Sequence, residues 1–221
     1  MYPSIIMSLN ISPETKVGKL DSWDAESFLK GKDKTYTINN KHGKEMTKLT
    51  TAEFGNFLKD NNVSVSSNGV IYTRDKRGLI PTLLEKWFDD RVQFRKLAKK
   101  FAEQGDKEKY AYFDRRQYIQ KVVLNSLYGV LGLPVFRFYD LDNAEATTTT
   151  GVELIKFTKR MANHYYNSTL DDKEDYCIYI DTDSVFYSAI PIIKKKYPHV
   201  DIKDENLVTE KILEIASDLQ K

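Results

Sequence analysis

The sequence lacks the features that would crosslink a small fold or place it in a membrane. Cys177 is the single cysteine among 221 residues, so no disulfide can form within the chain. A single cysteine is typical of proteins from a reducing compartment. No run of about 18 apolar residues is present, and the first residues lack the basic segment and apolar run of a secretory signal. We therefore expect an intracellular chain without a membrane segment.

An excess of charge of one sign is also missing. The 34 lysines and arginines nearly cancel the 32 acidic residues, which leaves a net charge of +2. A basic surface over the whole chain is thereby excluded, and binding of nucleic acid would have to rest on local clusters. Proline (6) and glycine (10) are sparse, whereas 14 tyrosines and 11 phenylalanines supply bulky side chains for a core. The length suits one large domain or a domain with an insertion.

Hydrophobic spacing predicts an α+β fold. Residues 1–12 form a short apolar segment, and much of residues 14–62 is polar and weakly patterned. Asn68-Gly69 is a strong hairpin signal, because both residue types tolerate a positive φ. The predicted helices are 51–59, 81–101, 107–127, 151–167 and 205–220, and the predicted strands are 63–66, 70–73, 135–139, 176–180 and 185–188.

The two long helices in the middle of the chain carry a cationic pattern. They are separated by a short break at Gly105, which predicts an antiparallel helical hairpin. Arg91, Arg95 and Lys99 recur every four residues and form a stripe, and folding about Gly105 brings Arg91 opposite Lys121. Such a cluster can bind a polyphosphate. The alternative is a solvated lysine-rich face, which is the commoner meaning of such a run.

A pair of carboxylates lies between two apolar strands near the C-terminus. Asp181 and Asp183 are two residues apart, so in locally extended chain both side chains project to the same side. Adjacent carboxylates at a rigid sheet edge suit hard divalent cations such as Mg²⁺. The alternative is a polar hairpin turn, in which aspartate and serine are favoured.

A third constellation lies at the end of the second long helix. Lys121, Asn125 and Tyr128 share one helix face at positions i, i+4 and i+7. A cation, an amide and an aromatic ring in that order could contact a phosphate, a sugar and a base. Gly129 is expected either to end the helix or to allow a close approach of another backbone or a base. An ordinary structural helix end is the alternative.

Together these segments resemble the family B DNA polymerases, because three motifs occur in the order typical of that family. Tyr2-Pro3-Ser4-Ile5-Ile6 matches the end of motif A (D-x-x-S-L-Y-P-S-I-I), and residues 121–129 match motif B (K-x-x-x-N-S-x-Y-G). Residues 179–184 match motif C (Y-G-D-T-D-S), with Ile180 in place of the usual glycine. Residues 10–15 and 136–141 are most similar to polymerases of T-even-type phages.

The resemblance implies a DNA polymerase palm with an antiparallel sheet, interrupted by an antiparallel helical hairpin, the fingers. Residues 1–80 and 129–221 would be palm, and residues 81–128 would be fingers. The implied activity is template-directed addition of deoxynucleotides to a primer 3′ end, with two Mg²⁺ ions as cofactors. The implied partners are primer-template DNA and a deoxynucleoside triphosphate.

The resemblance also assigns roles to residues at the matching positions. Tyr2 would pack under the incoming sugar, and Tyr128 would line the nascent base-pair pocket. The implied metal-binding catalytic residues are Asp181 and Asp183; the implied nucleotide-binding residues are Tyr2, Arg91, Arg95, Lys121, Asn125 and Tyr128; the implied DNA-binding residues are Gly129, Thr182 and Ser184.

One departure from the family pattern concerns motif A. Its aspartate lies five residues before the tyrosine, and the chain begins one residue before Tyr2. We therefore expect a fragment, or one piece of a split polymerase whose second polypeptide carries the exonuclease and that aspartate. The expected location is the cytoplasm of a phage's bacterial host. A non-catalytic DNA- or nucleotide-binding module is the main alternative, and a reverse transcriptase is a third.

Overall fold

The computed structural model describes residues 1–40 and 46–219. They form two compact units, Met1–Thr150 and Gly151–Lys221. The helices are α1 (Tyr2–Leu9), α2 (Ala25–Leu29), α3 (Thr51–Asp60), α4 (Leu79–Glu103), α5 (Lys107–Leu131), α6 (Leu141–Leu170), α7 (Ile190–Lys196) and α8 (Glu205–Leu219). The strands are β1 (Lys16–Asp21), β2 (Thr35–Asn40), β3 (Met46–Thr50), β4 (Val63–Val65), β5 (Val70–Thr73), β6 (Cys177–Asp181) and β7 (Ser184–Tyr187).

A five-stranded antiparallel sheet organises the first unit, in the order β3-β2-β1-β5-β4. The predicted α+β class with an antiparallel sheet is thereby confirmed. Sequence patterning had not predicted β1, β2 and β3, because polar residues occupy much of their surface. Their burial depends on distant partners: Leu20, Tyr36, Phe54 and Ile71 form one cluster, against which Trp23 packs.

The β4–β5 hairpin confirms the prediction from Asn68-Gly69. Gly69 has a φ of 83°, in the left-handed region that favours glycine. A Cβ at this position would lie 2.9 Å from the Cβ of Trp23, so close packing excludes a side chain as well. Both backbone conformation and space therefore require glycine at this turn.

Helices α4 and α5 form the predicted antiparallel hairpin. Phe113 stacks on Phe101 with ring centroids 5.5 Å apart, and the Arg116 guanidinium lies 5.1 Å from the Phe94 ring centroid. These pairs are the ones expected for two helices folded about Gly105. Pro81 is the third residue of α4 rather than the first, since the helix begins at Leu79.

Helix α5 continues two residues beyond Gly129, so the expectation that this glycine ends the helix is wrong. Leu131 is the last helical residue and is fully buried in the core of the first unit, which favours continuation of the helix. Gly132 provides the C-cap. Among residues 1–40 and 46–219, no atom outside the local helix lies within 4 Å of a Cβ built on Gly129, so these residues leave the space beside it open.

The predicted strand at 135–139 is also wrong. This segment forms turns, with Val135 87% exposed and the Phe136 ring packed edge-on against Phe138 at 5.7 Å. Helix α6 begins ten residues earlier than predicted, because its threonines are compatible with a helix here. The Thr147 hydroxyl donates to the Asn143 carbonyl at 3.0 Å, a bond to the preceding turn.

Ion pairs join β1 to the start of α6. The Lys16 ammonium lies 2.6 Å from Asp142 and 3.1 Å from Asp140, and Lys19 lies 2.7 Å from Asp142. Burial alone would raise the pKa of Asp142, but hydrogen bonds from Lys16 and Lys19 outweigh it and lower the pKa. The stabilisation from this carboxylate is therefore present at neutral pH and is lost as the pH falls through its lowered pKa.

The N-terminus of α4 is capped by residues that are distant in the sequence. Gly78, at the N-cap, offers no side chain, and the backbone N–H of Leu79 donates instead to the Glu14 carboxylate at 2.5 Å. The Gly78 N–H donates to Asn10 Oδ1 at 2.9 Å. Asn10 Nδ2 donates to the carbonyls of Thr73 and Lys76 at 2.7 and 2.9 Å. The 10–15 segment thus fixes the base of the helical hairpin.

We expect Asn10→Ala to lower the free energy of unfolding by about 2–4 kcal/mol, because three backbone groups, of which the Gly78 N–H is buried, lose their partner. Asn10 is 2% exposed and has a φ of 60°, a conformation that asparagine tolerates better than alanine. Urea unfolding followed by circular dichroism measures the change. Asn61→Ala is the matched control, since the side chain of exposed Asn61 donates to the carbonyl of Phe57 within its own helix turn. Equal effects of the two substitutions would contradict this account.

The second unit has its own core of buried residues, which are Tyr166, Ile192, Ile193, Val200 and Ile215. The β6–β7 hairpin and α8 confirm two predictions, although Gln220 lies outside the described residues. Helix α7 was not predicted, because its apolar run is only a few residues long. No helix in the described part of the chain is long and apolar enough to cross a membrane.

Candidate functional site

Tyr2 and Tyr128 are brought together in the first unit. Their ring centroids lie 4.4 Å apart with an interplanar angle of 39°. Ile5 and Ile6 are buried and anchor α1, which begins at Tyr2, against the core that also holds the end of α5. Burial raises the pKa of Tyr128, and the neighbouring Tyr2 phenol raises it further. Two residues 126 positions apart in the sequence thus form one aromatic wall.

A recess of about 360 Å³ lies along α5, and its lining residues are Tyr118, Lys121, Val122, Asn125 and Ser126. Lys121 and Asn125 share a helix face and are both exposed, as their spacing predicted. Tyr118 and Val122 are large side chains of the same helix, and they are 59% and 47% exposed. The recess therefore combines a cation, an amide, a hydroxyl and apolar groups, all accessible to a ligand.

Two arginines lie on α4. The Arg91 side chain is half-buried, and its Nε is buried without a hydrogen-bond partner in the described residues. Arg95 is exposed, and neither arginine forms an ion pair within the described part of the chain. A buried donor without a partner is costly, so an oxygen-rich ligand would relieve that cost. Convergence of Arg91 with Lys121 stays a prediction.

The carboxylates of the second unit lie at the turn of the β6–β7 hairpin. Asp181 ends β6 and pairs with Ser184, and both aspartates are exposed. Thr182 has a φ of 36°, so the chain between Asp181 and Asp183 is not extended. The alternation rule that placed both carboxylates on one side does not apply to this turn. A β-branched residue in the left-handed region is strained, a feature that concentrates at functional sites.

Hydroxyl groups on both sides of the turn bond to Asp181. The Thr182 hydroxyl donates to the Asp181 carboxylate at 3.0 Å, and the Ser184 hydroxyl donates to the Asp181 carbonyl at 3.2 Å. The two residues that the resemblance assigns to DNA binding therefore also orient the turn. Their contact with DNA stays a prediction.

Helix α6 supports the hairpin through tyrosines. The Tyr166 ring lies 5.2 Å from Tyr176 and 5.4 Å from Tyr187, and the Tyr187 hydroxyl donates to the Lys159 carbonyl at 3.0 Å. Asp175 precedes β6, and the hydrogen bond from Lys159 lowers the pKa of Asp175 to about 2. These contacts hold the strands that carry the two aspartates.

Carboxylate oxygens are suitable ligands for Mg²⁺, which commonly binds to one or two carboxylates and completes its shell with water and substrate phosphates. Asp181 and Asp183 are exposed and fit that requirement. Among the described residues, no group of three or more histidine, cysteine, aspartate or glutamate side chains is placed to hold a metal ion. The two aspartates therefore fit a partial set of magnesium ligands.

Sequence reasoning missed the exposure of Tyr118 and the supporting role of Asp175. The signal for Tyr118 was available, because it precedes Lys121 and Asn125 by three and seven residues on a helix. No sequence signal pointed to Asp175, whose partners Lys159 and Asn163 lie on α6. Such long-range polar contacts become visible only in the folded chain.

Comparisons with known proteins agree with the three sequence motifs. The chain matches the family described as DNA polymerase family B over residues 1–212. It is 27% identical to the DNA-directed DNA polymerase of Escherichia phage RB69, over 88% of this chain and 24% of that protein. It is 32% identical to the DNA polymerase of Paramecium bursaria Chlorella virus NY2A, over 92% of this chain and 18% of that protein.

A similar fold occurs in the family B DNA polymerase from the hyperthermophilic archaeon Pyrobaculum calidifontis. The TM-score is 0.52 and the identity is 23%, over 91% of this chain and 21% of the archaeal chain. The chain therefore spans at most 24% of the length of these three relatives.

Proposed function

Because the chain belongs to the family B DNA polymerases, we propose that it provides the part of such an enzyme that binds the incoming deoxynucleotide and adds it to a primer 3′ end. The observation that carries this proposal is the arrangement along α5. One part of the helix presents Lys121 and Asn125 in an open recess, and its end packs Tyr128 against Tyr2. The proposed substrates are primer-template DNA and a deoxynucleoside triphosphate.

The spacing along α5 supports binding of a nucleotide. Seven residues separate Lys121 from Tyr128, which corresponds to about 10 Å along the helix axis. That length is comparable with a nucleoside triphosphate from its base to its last phosphate. Lys121, Arg91 and Arg95 would bind the phosphates, with arginine able to grip two oxygens at once. Tyr128 would contact the nascent base pair, and Tyr2 would pack under the sugar.

Asp181 and Asp183 would hold Mg²⁺ in the proposed reaction. When bound, two such ions lower the pKa of the primer 3′-hydroxyl and stabilise the departing pyrophosphate. The Thr182 hydroxyl, by its bond to the Asp181 carboxylate, limits the rotation of that ligand. Cations of the hairpin would neutralise the charge that develops on the phosphates. Gly129, Thr182 and Ser184 would contact the DNA.

We further propose that a carboxylate from outside these 221 residues completes the metal site. Two aspartates are a small ligand set for two ions, and the described residues contain no larger metal-binding group. An upstream segment or a second polypeptide carrying the motif A aspartate would supply the missing ligand.

Single-nucleotide primer extension tests this function. The comparison is between the chain alone and the chain extended upstream through the motif A aspartate, each with and without Mg²⁺. We expect addition of a nucleotide only by the extended form with Mg²⁺. If neither form extends a primer while both bind primer-template DNA in a salt-sensitive manner, the non-catalytic binding module is favoured instead.

Substitution of Tyr2 is expected to weaken the discrimination against ribonucleotides. In the extended form, Tyr2→Ala should reduce the preference for deoxynucleotides, measured as a ratio of kcat/KM values, by a factor on the order of a hundred. The reason is that the ring would fill the space that a 2′-hydroxyl needs. Tyr139→Ala, which removes another partly exposed tyrosine of the first unit, is the control. Unchanged discrimination in Tyr2→Ala would rule out this role.

A further inference from the structure

Tyr118 carries a hydroxyl that the packing of the helical hairpin does not use. Tyr118 is 59% exposed, and within the described residues its side chain makes no ring contact or hydrogen bond. Tyr112, on the same helix, instead accepts a hydrogen bond from Arg116 and packs on Phe113. Tyr118 lines the same recess as Lys121, so its hydroxyl is available to a ligand that binds there.

The packing of α4 on α5 shows how far along the hairpin Tyr118 lies. Two ring contacts align the helices, which are Phe94 with Arg116 and Phe101 with Phe113. Because the helices are antiparallel, each step forward along α4 corresponds to a step back along α5. Arg95 is therefore level with a residue of α5 between about 115 and 119, and Arg91 with one between about 119 and 123. Tyr118 thus lies at the level of Arg95, and Lys121 at the level of Arg91.

Tyr118 and Lys121 are also neighbours on the surface of α5. Residues three apart on a helix have Cβ atoms about 5–6 Å apart. Long side chains lean toward the helix N-terminus, which directs Lys121 toward the turn that carries Tyr118. A phosphate bound by Lys121 and Arg95 therefore lies within reach of the Tyr118 hydroxyl. Since Tyr128, at the other end of the site, is assigned to the base pair, this phosphate is the terminal one of the nucleotide.

The chemistry of the hydroxyl suits that ligand. A tyrosine hydroxyl donates a hydrogen bond without adding a charge. Phosphate oxygens in nucleic-acid complexes accept hydrogen bonds from tyrosine as well as from lysine and arginine. A terminal phosphate presents several strong acceptor oxygens, so a neutral donor can bind beside the cations.

We propose that the Tyr118 hydroxyl donates a hydrogen bond to the terminal phosphate of the incoming nucleotide and thereby favours triphosphates over diphosphates. This inference rests on the proposed function, because it takes Lys121 and Arg95 as phosphate-binding residues and Tyr128 as the location of the base pair. Tyr118 is assigned as a nucleotide-binding residue that contacts the part of the nucleotide released as pyrophosphate.

Isothermal titration calorimetry with the full chain and Mg²⁺ tests the proposal. The probes are deoxyadenosine triphosphate and deoxyadenosine diphosphate. We expect Tyr118→Phe, which keeps the ring and removes only the hydroxyl, to weaken binding of the triphosphate about tenfold. Binding of the diphosphate should not change, since the diphosphate lacks the terminal phosphate.

Tyr110→Phe is the matched control, because Tyr110 is also exposed on α5 but does not line the recess. This variant should bind both probes as the wild-type chain does. Unchanged binding of the triphosphate by Tyr118→Phe would overturn the proposal. Equal weakening of both probes would also overturn it, since the hydroxyl would then contact another part of the nucleotide. A wild-type chain that does not bind the triphosphate would overturn it as well.

Primer extension separates this inference from the proposed function. In the form extended through the motif A aspartate, Tyr118→Phe should raise the KM of the nucleotide about tenfold. An active variant with an unchanged KM would remove the role of Tyr118 and leave the proposed function intact. Failure of the wild-type extended form to add a nucleotide would instead contradict the proposed function, whatever the calorimetry shows.

Discussion

Asp183→Asn is expected to lower the rate of nucleotide addition by about a thousandfold or more while leaving the fold intact. The substitution replaces a charged oxygen ligand for Mg²⁺ with a neutral amide of the same shape. Asp183 is exposed in the turn between β6 and β7, so the core of the second unit does not depend on its charge. Primer extension at saturating nucleotide, in the form extended through the motif A aspartate, measures the effect.

Asp171→Asn provides a matched control for this substitution. Asp171 is likewise an exposed aspartate of the second unit, and its φ of 60° is one that asparagine adopts readily. We expect Asp171→Asn to retain normal activity, and circular dichroism should show the same fold for both variants. An active Asp183→Asn enzyme would remove the basis for assigning a metal-dependent nucleotidyl transfer to this turn.

Arg91→Ala is expected to reduce kcat/KM for the incoming nucleotide by several hundredfold. The Nε of Arg91 is buried without a partner in the described residues, and a phosphate oxygen would provide one. Arg91→Lys should recover only part of the loss, because lysine keeps the charge but not the two-pronged hydrogen bonding. Steady-state addition of one nucleotide by the extended form gives the values.

Lys100→Ala separates specific binding of phosphate from a general effect of charge. Lys100 is an exposed cation on the same helix, near its C-terminal end, and has no predicted contact with the nucleotide. We expect this variant to retain nearly full kcat/KM. If both variants lose activity to the same extent, the hairpin acts as a diffuse cationic surface rather than as a phosphate site.

The helical hairpin shows how much of the architecture local sequence can predict. Apolar periodicity and the break at Gly105 were sufficient to predict both helices and their antiparallel pairing. The three strands β1, β2 and β3 could not be predicted in the same way. Residues such as Leu20 and Tyr36 are buried by side chains from distant segments, and a window along the chain does not contain those partners.

Local patterns failed where distant packing outweighed them. Glycine is common at helix ends, yet at Gly129 the helix continues, because burial of Leu131 in the core favours two further helical residues. Residues 135–139 alternate like a strand, but the phenylalanines pack on each other and no strand in the described part of the chain pairs with them. In both cases the local signal was weak, and the energy of burial decided the outcome.

The sequence by itself determined the residue types and spacing of the three motifs, and with them the family. Motif identity is local, since helix and turn geometry relate Lys121 to Asn125 and Asp181 to Asp183 within a few residues. The tertiary structure alone decided that Tyr2 packs on Tyr128 and that Tyr118 stays exposed. Those properties depend on which distant side chains fill the neighbouring space, and burial is a property of the folded chain rather than of any segment.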